Sequence, residues 1–146
     1  MTQPEDTISR ILADCRTIAV VGMSAKPDRP SNKVARYLQA HGYRIIPVNP
    51  TYAGTHIFGE HCYPSLSTAA ATLAEQGVLI DLVDCFRKPE AISAIADEAI
   101  AIGARGLWMQ LGVINEEAAA KARRAGLAVV MDHCIKIEHA RRAQFP

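Results

Sequence analysis

Four glycines recur at the same place in a repeating pattern, and this repeat constrains the fold more than any other feature. Each separates a segment with helical spacing of apolar residues from a run of consecutive apolar residues: Gly42, Gly77, Gly103 and Gly126. Glycine is favoured there because helices commonly end in a left-handed turn. The runs are continuous rather than alternating, which is typical of strands buried on both faces. The repeat therefore predicts an α/β fold with a doubly wound parallel sheet.

Periodicity and turn residues place the individual elements. Five strands are expected over residues 18–21, 44–48, 78–86, 106–111 and 127–131. Helices are expected over 4–15, from Ser31 to Gly42, over 67–76, over 89–102, from Asn115 to Gly126 and over 133–142. Residues 51–64 are rich in turn formers, with a minor strand around 56–58. We predict the strand order 3-2-1-4-5, which opens a crevice where the winding reverses.

Length and composition predict a single globular domain over residues 1–146. Hydrophobic residues make up 49% and charged residues 21% of the chain, which suits an independent core and argues against disorder. A net charge of +1 is too small for general nucleic-acid binding. No apolar run approaches the roughly 18 residues that span a membrane, and residues 1–13 lack a signal-peptide core. We therefore expect a cytoplasmic protein without nucleic-acid or membrane partners.

The cysteines are scattered along the chain and form no CxxC motif: Cys15, Cys62, Cys85 and Cys134. In a cytoplasmic chain such residues are usually buried thiols. His56 and His61 lie near Cys62, and His133 precedes Cys134. None of these pairs has the i, i+4 spacing that places two metal ligands on one helix face. We expect no metal site.

The segment from Ile18 to Leu38 is the first candidate for ligand binding. A buried strand breaks at Gly22 into a loop rich in Ser, Lys, Pro and Arg, and a helix restarts behind Ser31. The unpaired N–H groups and the dipole of a helix start attract anions. Polar and small residues also follow later strands, and parallel strands share their carboxyl edge: Asn49-Pro50, Arg87-Lys88 and Gln110-Leu111-Gly112. The pattern favours a ligand with phosphates and a long polar body.

A dinucleotide such as NAD fits this pattern poorly. The fingerprint GxGxxG needs three glycines, but here Gly22 is followed by Ser24 and Pro27. The second glycine admits the pyrophosphate to the backbone, and a serine hinders that approach. Strand two ends in Asn49 rather than in the acid that holds the ribose. The loop is also long and basic, with Arg29 and two lysines, which suits a ligand with a phosphate beyond a pyrophosphate.

Three stretches resemble a known family. They read VVGMSAKPDRPSNKVARYLQAHGYRIIPVNP, VDCFRKPE and WMQLGVIN. They are similar to the small CoA-binding family of stand-alone Rossmann-like proteins, and more distantly to the CoA-binding domain of the succinyl-CoA synthetase alpha subunit and of ADP-forming acyl-CoA synthetases. The resemblance runs from about Thr17 to Ile137. It implies a Rossmann-like fold that binds coenzyme A.

The resemblance also implies a set of site residues on the loops after the strands. They are Gly22, Met23 and Ser24 at the phosphate end, Lys26, Arg29 and Ser31 on the ADP phosphates, Asn49 and Pro50 beside the adenosine, Phe86, Arg87 and Lys88 along the ligand, and Gln110 and Gly112 on the pantetheine path. Several have simpler interpretations. Ser31 could only cap its helix, Pro50 could only end a strand, Phe86 could belong to the core, and the lysines could be solvated.

The chain has no counterpart of the catalytic apparatus that the resemblance attributes to the larger synthetases. Those use a phosphorylated histidine on a second domain and a separate nucleotide-binding subunit. No paired carboxylates, Ser-His-Asp set or P-loop is visible either. We expect a protein that binds CoA or an acyl-CoA without catalysis of its own. The alternatives are an NAD(P)-binding oxidoreductase domain, with Arg29 on a 2′-phosphate, and a subunit that completes an acyl-CoA synthetase with a partner chain.

Overall fold

A computed structural model describes residues 4–144 as a parallel sheet covered by helices on both faces. The helices are α1 Pro4–Asp14, α2 Pro30–Ala40, α3 Leu66–Glu75, α4 Ile92–Ala101, α5 Glu116–Arg124 and α6 Ile135–Gln144. The strands are β1 Thr17–Val21, β2 Arg44–Val48, β3 His56–Ile57, β4 Glu60–His61, β5 Leu82–Cys85, β6 Gly106–Met109 and β7 Ala128–Val130. No helix within this part of the chain has the length and apolar character needed to cross a bilayer.

The five long strands form one sheet in the order β2-β1-β5-β6-β7, and all neighbours are parallel. The predicted class, a doubly wound five-stranded parallel sheet, is confirmed. The predicted order 3-2-1-4-5 is wrong, because the third long strand, β5, pairs with β1 rather than with β2. Counted over the long strands alone, the order is 2-1-3-4-5. The winding therefore reverses between β1 and β5.

The strand order follows from how the outer edge of β2 is covered. Pro47 in β2 has no N–H group, and a proline in a strand is confined to sheet edges. The carbonyl of Pro47 accepts a hydrogen bond from the N–H of Tyr63 at 3.0 Å, and the Tyr63 carbonyl accepts from the N–H of Asn49 at 2.9 Å. The small antiparallel hairpin β3–β4 precedes Tyr63 directly. This excursion occupies the edge that the prediction assigned to strand three.

The third long strand is shorter than predicted because residues before Leu82 have another role. The Asp81 carboxylate accepts hydrogen bonds from the backbone N–H groups of Arg16 and Thr17, at 2.9 and 3.0 Å. The side chain thus ties the amino end of β5 to the start of β1. The helix ends follow the prediction more closely, since φ is +94° at Gly42, +75° at Gly77, +76° at Gly103 and +96° at Gly126.

Two apolar layers hold the sheet between the helices. One face packs against α3, α4 and α5, with Leu66, Leu73 and Ile92 among its buried residues. The opposite face packs against α1, α2 and α6, with Leu38 and Ile135 among its buried residues. All four cysteines are free thiols; Cys15, Cys62 and Cys85 are buried as predicted, while Cys134 is partly exposed. Within the described range, no three His, Cys, Asp or Glu side chains are grouped so that they could hold a metal ion.

Candidate functional site

A cleft of about 830 Å³ opens at the carboxyl edge of the sheet, on the side of α2 and α6. Loops after β1, β2, β5 and β6 form its floor, and Val34 of α2 and Ile137 of α6 belong to its walls. Eleven of the thirteen predicted site residues line it: Gly22, Ser24, Lys26, Arg29, Ser31, Asn49, Phe86, Arg87, Lys88, Gln110 and Gly112. Four loops that are far apart in the sequence therefore meet around one space.

The other two predicted residues, Met23 and Pro50, do not line the cleft. The Met23 side chain is fully buried in the layer beneath α2, because it is the first apolar residue after the strand and turns back into the core. Pro50 is exposed and begins a short 3-10 turn that ends at Tyr52. The next two residues of that turn, Thr51 and Tyr52, face the cleft instead.

Gly22 is the point at which three strand ends come together. Its N–H donates to the carbonyl of Val48 in β2 at 2.8 Å. Its φ is +91°, and a Cβ atom built there would lie 2.3 Å from the carbonyl oxygen of Phe86. An alanine would meet both the unfavourable backbone conformation and this oxygen. The close approach of the loops after β1 and β5 therefore requires glycine.

The loop after β1 is closed by hydrogen bonds to the start of α2. The hydroxyl oxygen of Ser31 accepts from the N–H of Ser24 at 3.0 Å, and the amide nitrogen of Asn32 donates to the Ser24 carbonyl at 3.0 Å. Ser31 does not cap its helix, contrary to the simpler interpretation of its sequence position. The N-cap residue is Arg29, and Pro30 is the first residue of the helix. The serine side chain instead holds the loop beside the helix start.

Asn49 and Gln110 use their side-chain amides to position neighbouring backbone. The Asn49 side chain accepts from the N–H of Thr51 and donates to the carbonyl of Met23, both at 2.9 Å. It thus joins the loops after β1 and β2. The side-chain oxygen of Gln110 accepts from the N–H of Ile135 at 3.2 Å, at the start of α6. These bonds fix the floor of the cleft and its α6 wall relative to the sheet.

The charge lining the cleft is entirely positive. Lys26, Arg29, Arg87 and Lys88 face it, and no Asp or Glu belongs to its lining within residues 4–144. None of these four cations forms a salt bridge with any residue that the structure describes. Cations of one sign in a concave site attract anions and raise their local concentration. The arrangement suits phosphate groups, and arginine in particular can bind phosphate oxygens in pairs.

A carboxyl group lies in the core one row below the cleft floor. Asp84 pairs in register with Val20 of β1 and Trp108 of β6. Each of these three residues lies two positions before a residue of the cleft floor on its own chain segment: Gly22, Phe86 and Gln110. The side chain is fully buried, and neither oxygen has a hydrogen-bond partner among the described residues. Burial raises the pKa of the Asp84 carboxyl well above its usual range. Burial thus favours the uncharged form of this carboxyl, which would add no negative charge beneath the cleft.

A second groove, of about 920 Å³, lies along the outer edge of β7 beside α1. Its lining includes the strand residues Ala128, Val129 and Val130 themselves rather than the loops that follow several strands. In an open parallel sheet, ligands bind where loops converge at the carboxyl ends of the strands. The cleft between α2 and α6 is therefore the candidate functional site, although the β7 groove has the larger volume.

The sequence profile of the CoA-binding domain matches residues 16–140. The chain belongs to the CoA-binding domain family. It is 40% identical to the Bacillus subtilis (strain 168) protein YneT over 133 residues, which is 91% of this chain and 92% of that protein. A solved structure from Pyrococcus horikoshii OT3 is 38% identical, with a TM-score of 0.82 over 97% of this chain and 96% of that one.

A more distant structural similarity reaches a much larger protein. The dinucleotide-forming acetyl-coenzyme A synthetase 1 of Ca. Korarchaeum cryptofilum superimposes with a TM-score of 0.64 over 82% of this chain, at 20% identity. The matched region is 26% of that synthetase chain. At this identity the similarity establishes the Rossmann-like fold alone. The same fold therefore occurs as one part of a larger chain.

Nine residues of the cleft lining are absent from the predicted site residues: Leu111, Val113, Cys134, Ile137, Pro30, Val34, Thr51, Tyr52 and Pro89. The first two lie on the predicted loop after β6, but only its polar neighbours were selected. Cys134 and Ile137 come from the start of α6, whose position depends on packing rather than on local pattern. No local signal marked Ile137, because single apolar residues on the exposed face of a helix are common.

Proposed function

We propose that this protein binds coenzyme A, free or as an acyl thioester, in the cleft between α2 and α6, and that it carries no catalytic group of its own. The observation that supports this most directly is the unopposed positive lining of a cleft at the carboxyl edge of the sheet. Coenzyme A carries a pyrophosphate and a 3′-phosphate, so its nucleotide end needs several cations. Membership of the CoA-binding domain family supports the same ligand.

In this proposal the phosphates lie against the loop after β1. Lys26 and Arg29 contact them, while Gly22 and Ser24 line the space beside them. The adenosine lies beside Asn49 and the turn after β2, where Tyr52 replaces Pro50 as the wall.

The pantetheine arm passes Arg87 and Lys88 and reaches the loop after β6. The amide nitrogen of Gln110 is the polar group that we assign to the pantetheine carbonyls. The oxygen of that side chain is already bonded to the N–H of Ile135. Gly112 lies farther along the same loop and lines the path beyond Gln110.

The composition of the cleft supports binding rather than turnover. Among its described residues there is no carboxylate, histidine or Ser-His-Asp arrangement that could act as a general acid, a general base or an activated nucleophile. Its one thiol, Cys134, has no neighbouring base in the lining. Thioester formation would require activation of a carboxylic acid, and no lining residue serves that step.

A role as one component of a larger acyl-CoA enzyme is the second candidate. The fold of this chain occurs as about a quarter of an acetyl-coenzyme A synthetase chain. A partner chain could then provide the catalytic groups that the cleft lacks. Purification of the tagged protein from its own cells separates the two cases, since only this second role predicts a stoichiometric partner that uses ATP.

Thermal unfolding in the presence of different ligands tests the proposal directly. A ligand that binds only the native state raises the melting temperature by mass action. We expect a shift with coenzyme A, a smaller shift with dephospho-CoA, and none with NAD at the same concentration. Mass spectrometry of ligand released from the purified protein provides an independent check. A shift with NAD and none with coenzyme A would contradict the proposal and favour the oxidoreductase alternative.

A further inference from the structure

Large apolar side chains are left exposed at one end of the cleft. Among the residues that the structure describes, four such side chains are strongly exposed: Leu79 at 72%, Leu111 at 66%, Ile137 at 52% and Ile114 at 48%. Leu111 and Ile137 line the cleft together with the less exposed Val113, whereas Ile114 is outside the lining. We call Leu111, Val113 and Ile137 the apolar wall. Leu79 precedes β5 and therefore lies at the opposite edge of the sheet.

The apolar wall lies at the other end of the cleft from the loop after β1, which carries Lys26 and Arg29. Lys26 and Arg29 follow β1, whereas Leu111 and Val113 follow β6, and β5 separates the two strands. The lining residues that follow β6 or belong to α6 include no charged side chain. Along the sheet edge the cleft therefore changes from cationic to apolar. A ligand that spans it should carry anionic groups at one end and an apolar group at the other.

Hydrogen bonds hold the segments that carry the apolar wall in place. The N–H of Gly112 donates to the Asp132 carboxylate at 2.7 Å, and the N–H of Val113 donates to the Gln110 carbonyl at 2.8 Å. These bonds close the turn that carries Leu111. Ile137 is on α6, whose start is held by the Gln110 side chain. Both apolar side chains are thus kept at the surface rather than packed away, which is typical of a surface that binds a ligand or a partner.

We propose that the apolar wall binds the acyl chain of a CoA thioester, so that the preferred ligand is an acyl-CoA with a chain of several methylenes rather than free coenzyme A. This inference rests on the proposed function. Free coenzyme A ends in a thiol and would leave the wall exposed. A short acyl group with a terminal carboxylate would place a charge against apolar surface. An alkyl chain covers the wall and continues from the pantetheine arm.

The expected effect follows from burial of methylene groups. Complete burial of one methylene strengthens binding about fourfold. A wall contacts the chain on one side only, so we expect roughly half of that free energy, or about twofold per methylene. Octanoyl-CoA has six more methylenes than acetyl-CoA. The wild-type protein should therefore bind octanoyl-CoA on the order of 60-fold more tightly than acetyl-CoA.

Titration calorimetry of the intact protein with coenzyme A, acetyl-CoA and octanoyl-CoA tests this inference. The test variant is the double substitution Leu111→Ser with Ile137→Ser, and the matched control is Leu79→Ser. The readout is the ratio of octanoyl-CoA to acetyl-CoA affinity, because a general loss of coenzyme binding cancels from it. We expect the double variant to reduce that ratio to a few-fold. The control should retain both the ratio and the affinity for coenzyme A.

The outcomes separate this inference from the proposed function. If coenzyme A itself does not bind, the proposed function fails and the inference fails with it. If coenzyme A binds but chain length has no effect, the inference alone is overturned. Retention of the octanoyl preference in the double variant would also overturn it, since the chain would lie elsewhere. Light scattering tests whether a second copy of the protein, rather than an acyl chain, covers the wall. A wild-type dimer that dissociates in the double variant, without any chain-length preference, would make the wall a contact between two copies.

Discussion

Substitution of Gly22 tests the close approach on which the floor of the cleft depends. In Gly22→Ala, an L-residue must adopt a φ near the glycine value of +91°, and its Cβ would lie 2.3 Å from the Phe86 carbonyl oxygen. The left-handed conformation costs about 1–2 kcal/mol, of which roughly 0.4–1 kcal/mol is offset by the lower entropy of the unfolded chain. Relief of the overlap adds about 1–3 kcal/mol. We therefore expect a loss of about 3 kcal/mol in the free energy of unfolding.

Gly42→Ala is a matched control for the backbone contribution. Gly42 has a φ of +94°, but no atom lies within 4 Å of a Cβ built there, and the residue follows α2 at the opposite edge of the sheet. This variant should lose only about 1 kcal/mol, since it has the conformational cost without the overlap. For a chain of this size the two losses correspond to roughly 6–12 °C and 2–4 °C in melting temperature.

Urea denaturation with linear extrapolation measures the difference between the two variants. The Gly22 variant should also bind coenzyme A more weakly, because Phe86 and Arg87 must move to accommodate the methyl group. The Gly42 variant should bind it normally. Equal losses of stability in the two variants would refute the reasoning. That result would mean that the loops after β1 and β5 do not approach each other as closely as the structure has them.

Three further predictions concern charge and catalysis. Arg29→Ala should weaken coenzyme A binding about 10- to 150-fold in calorimetry, as expected for loss of a hydrogen bond to a charged group. The control Lys33→Ala, an exposed change outside the cleft, should leave the affinity unchanged. Equal binding by both variants would exclude Arg29 from the phosphate site. Burial raises the pKa of the Asp84 carboxyl in the folded state above its value in the unfolded chain. The wild type should therefore lose stability as the pH rises from the pKa of the unfolded state toward that of the folded state. Asp84→Asn, which has no titrating group at this position, should not show this loss. The stability of Asp84→Asn relative to the wild type should therefore increase from pH 4 to pH 7, and a constant difference would show that the carboxyl is not neutral in the fold. The purified chain should form no thioester from coenzyme A, acetate and ATP, and turnover by the chain alone would contradict a pure binding role.

The fold class was predictable because its signals are local, whereas the strand order depends on pairing between distant segments. Helix ends at glycines such as Gly42 and the N-cap at Asn115, whose side chain accepts from the N–H of Ala118 at 2.9 Å, follow from neighbouring residues. The order of strands does not. Pro47 did carry a local signal for an edge strand, but the prediction treated residues 44–48 only as an apolar run.

The edge of the sheet at which the cleft lies was predictable despite this error, because that edge does not depend on strand order. Parallel strands all point the same way, so the loops after them meet at one edge in any arrangement. That is why Ser24, Asn49, Arg87 and Gln110 converge although the predicted neighbours of β2 were wrong. The apolar wall could not be predicted in the same way. Whether Ile137 faces solvent, core or cleft depends on how α6 packs against the sheet.

Charge placement explains how a nearly neutral chain can form an anion site. The net charge of +1 arises from 16 basic and 15 acidic residues, so the positive character of the cleft depends on where the individual charges lie. At the amino edge, Asp81 is bonded to the backbone of β1 and pairs with Arg105 at 3.9 Å. At the carboxyl edge, the cations of the cleft have no acidic partner among the described residues. Their full charge is therefore available to a ligand, and the proposed binding of a molecule with several phosphates depends on this local arrangement rather than on the overall charge.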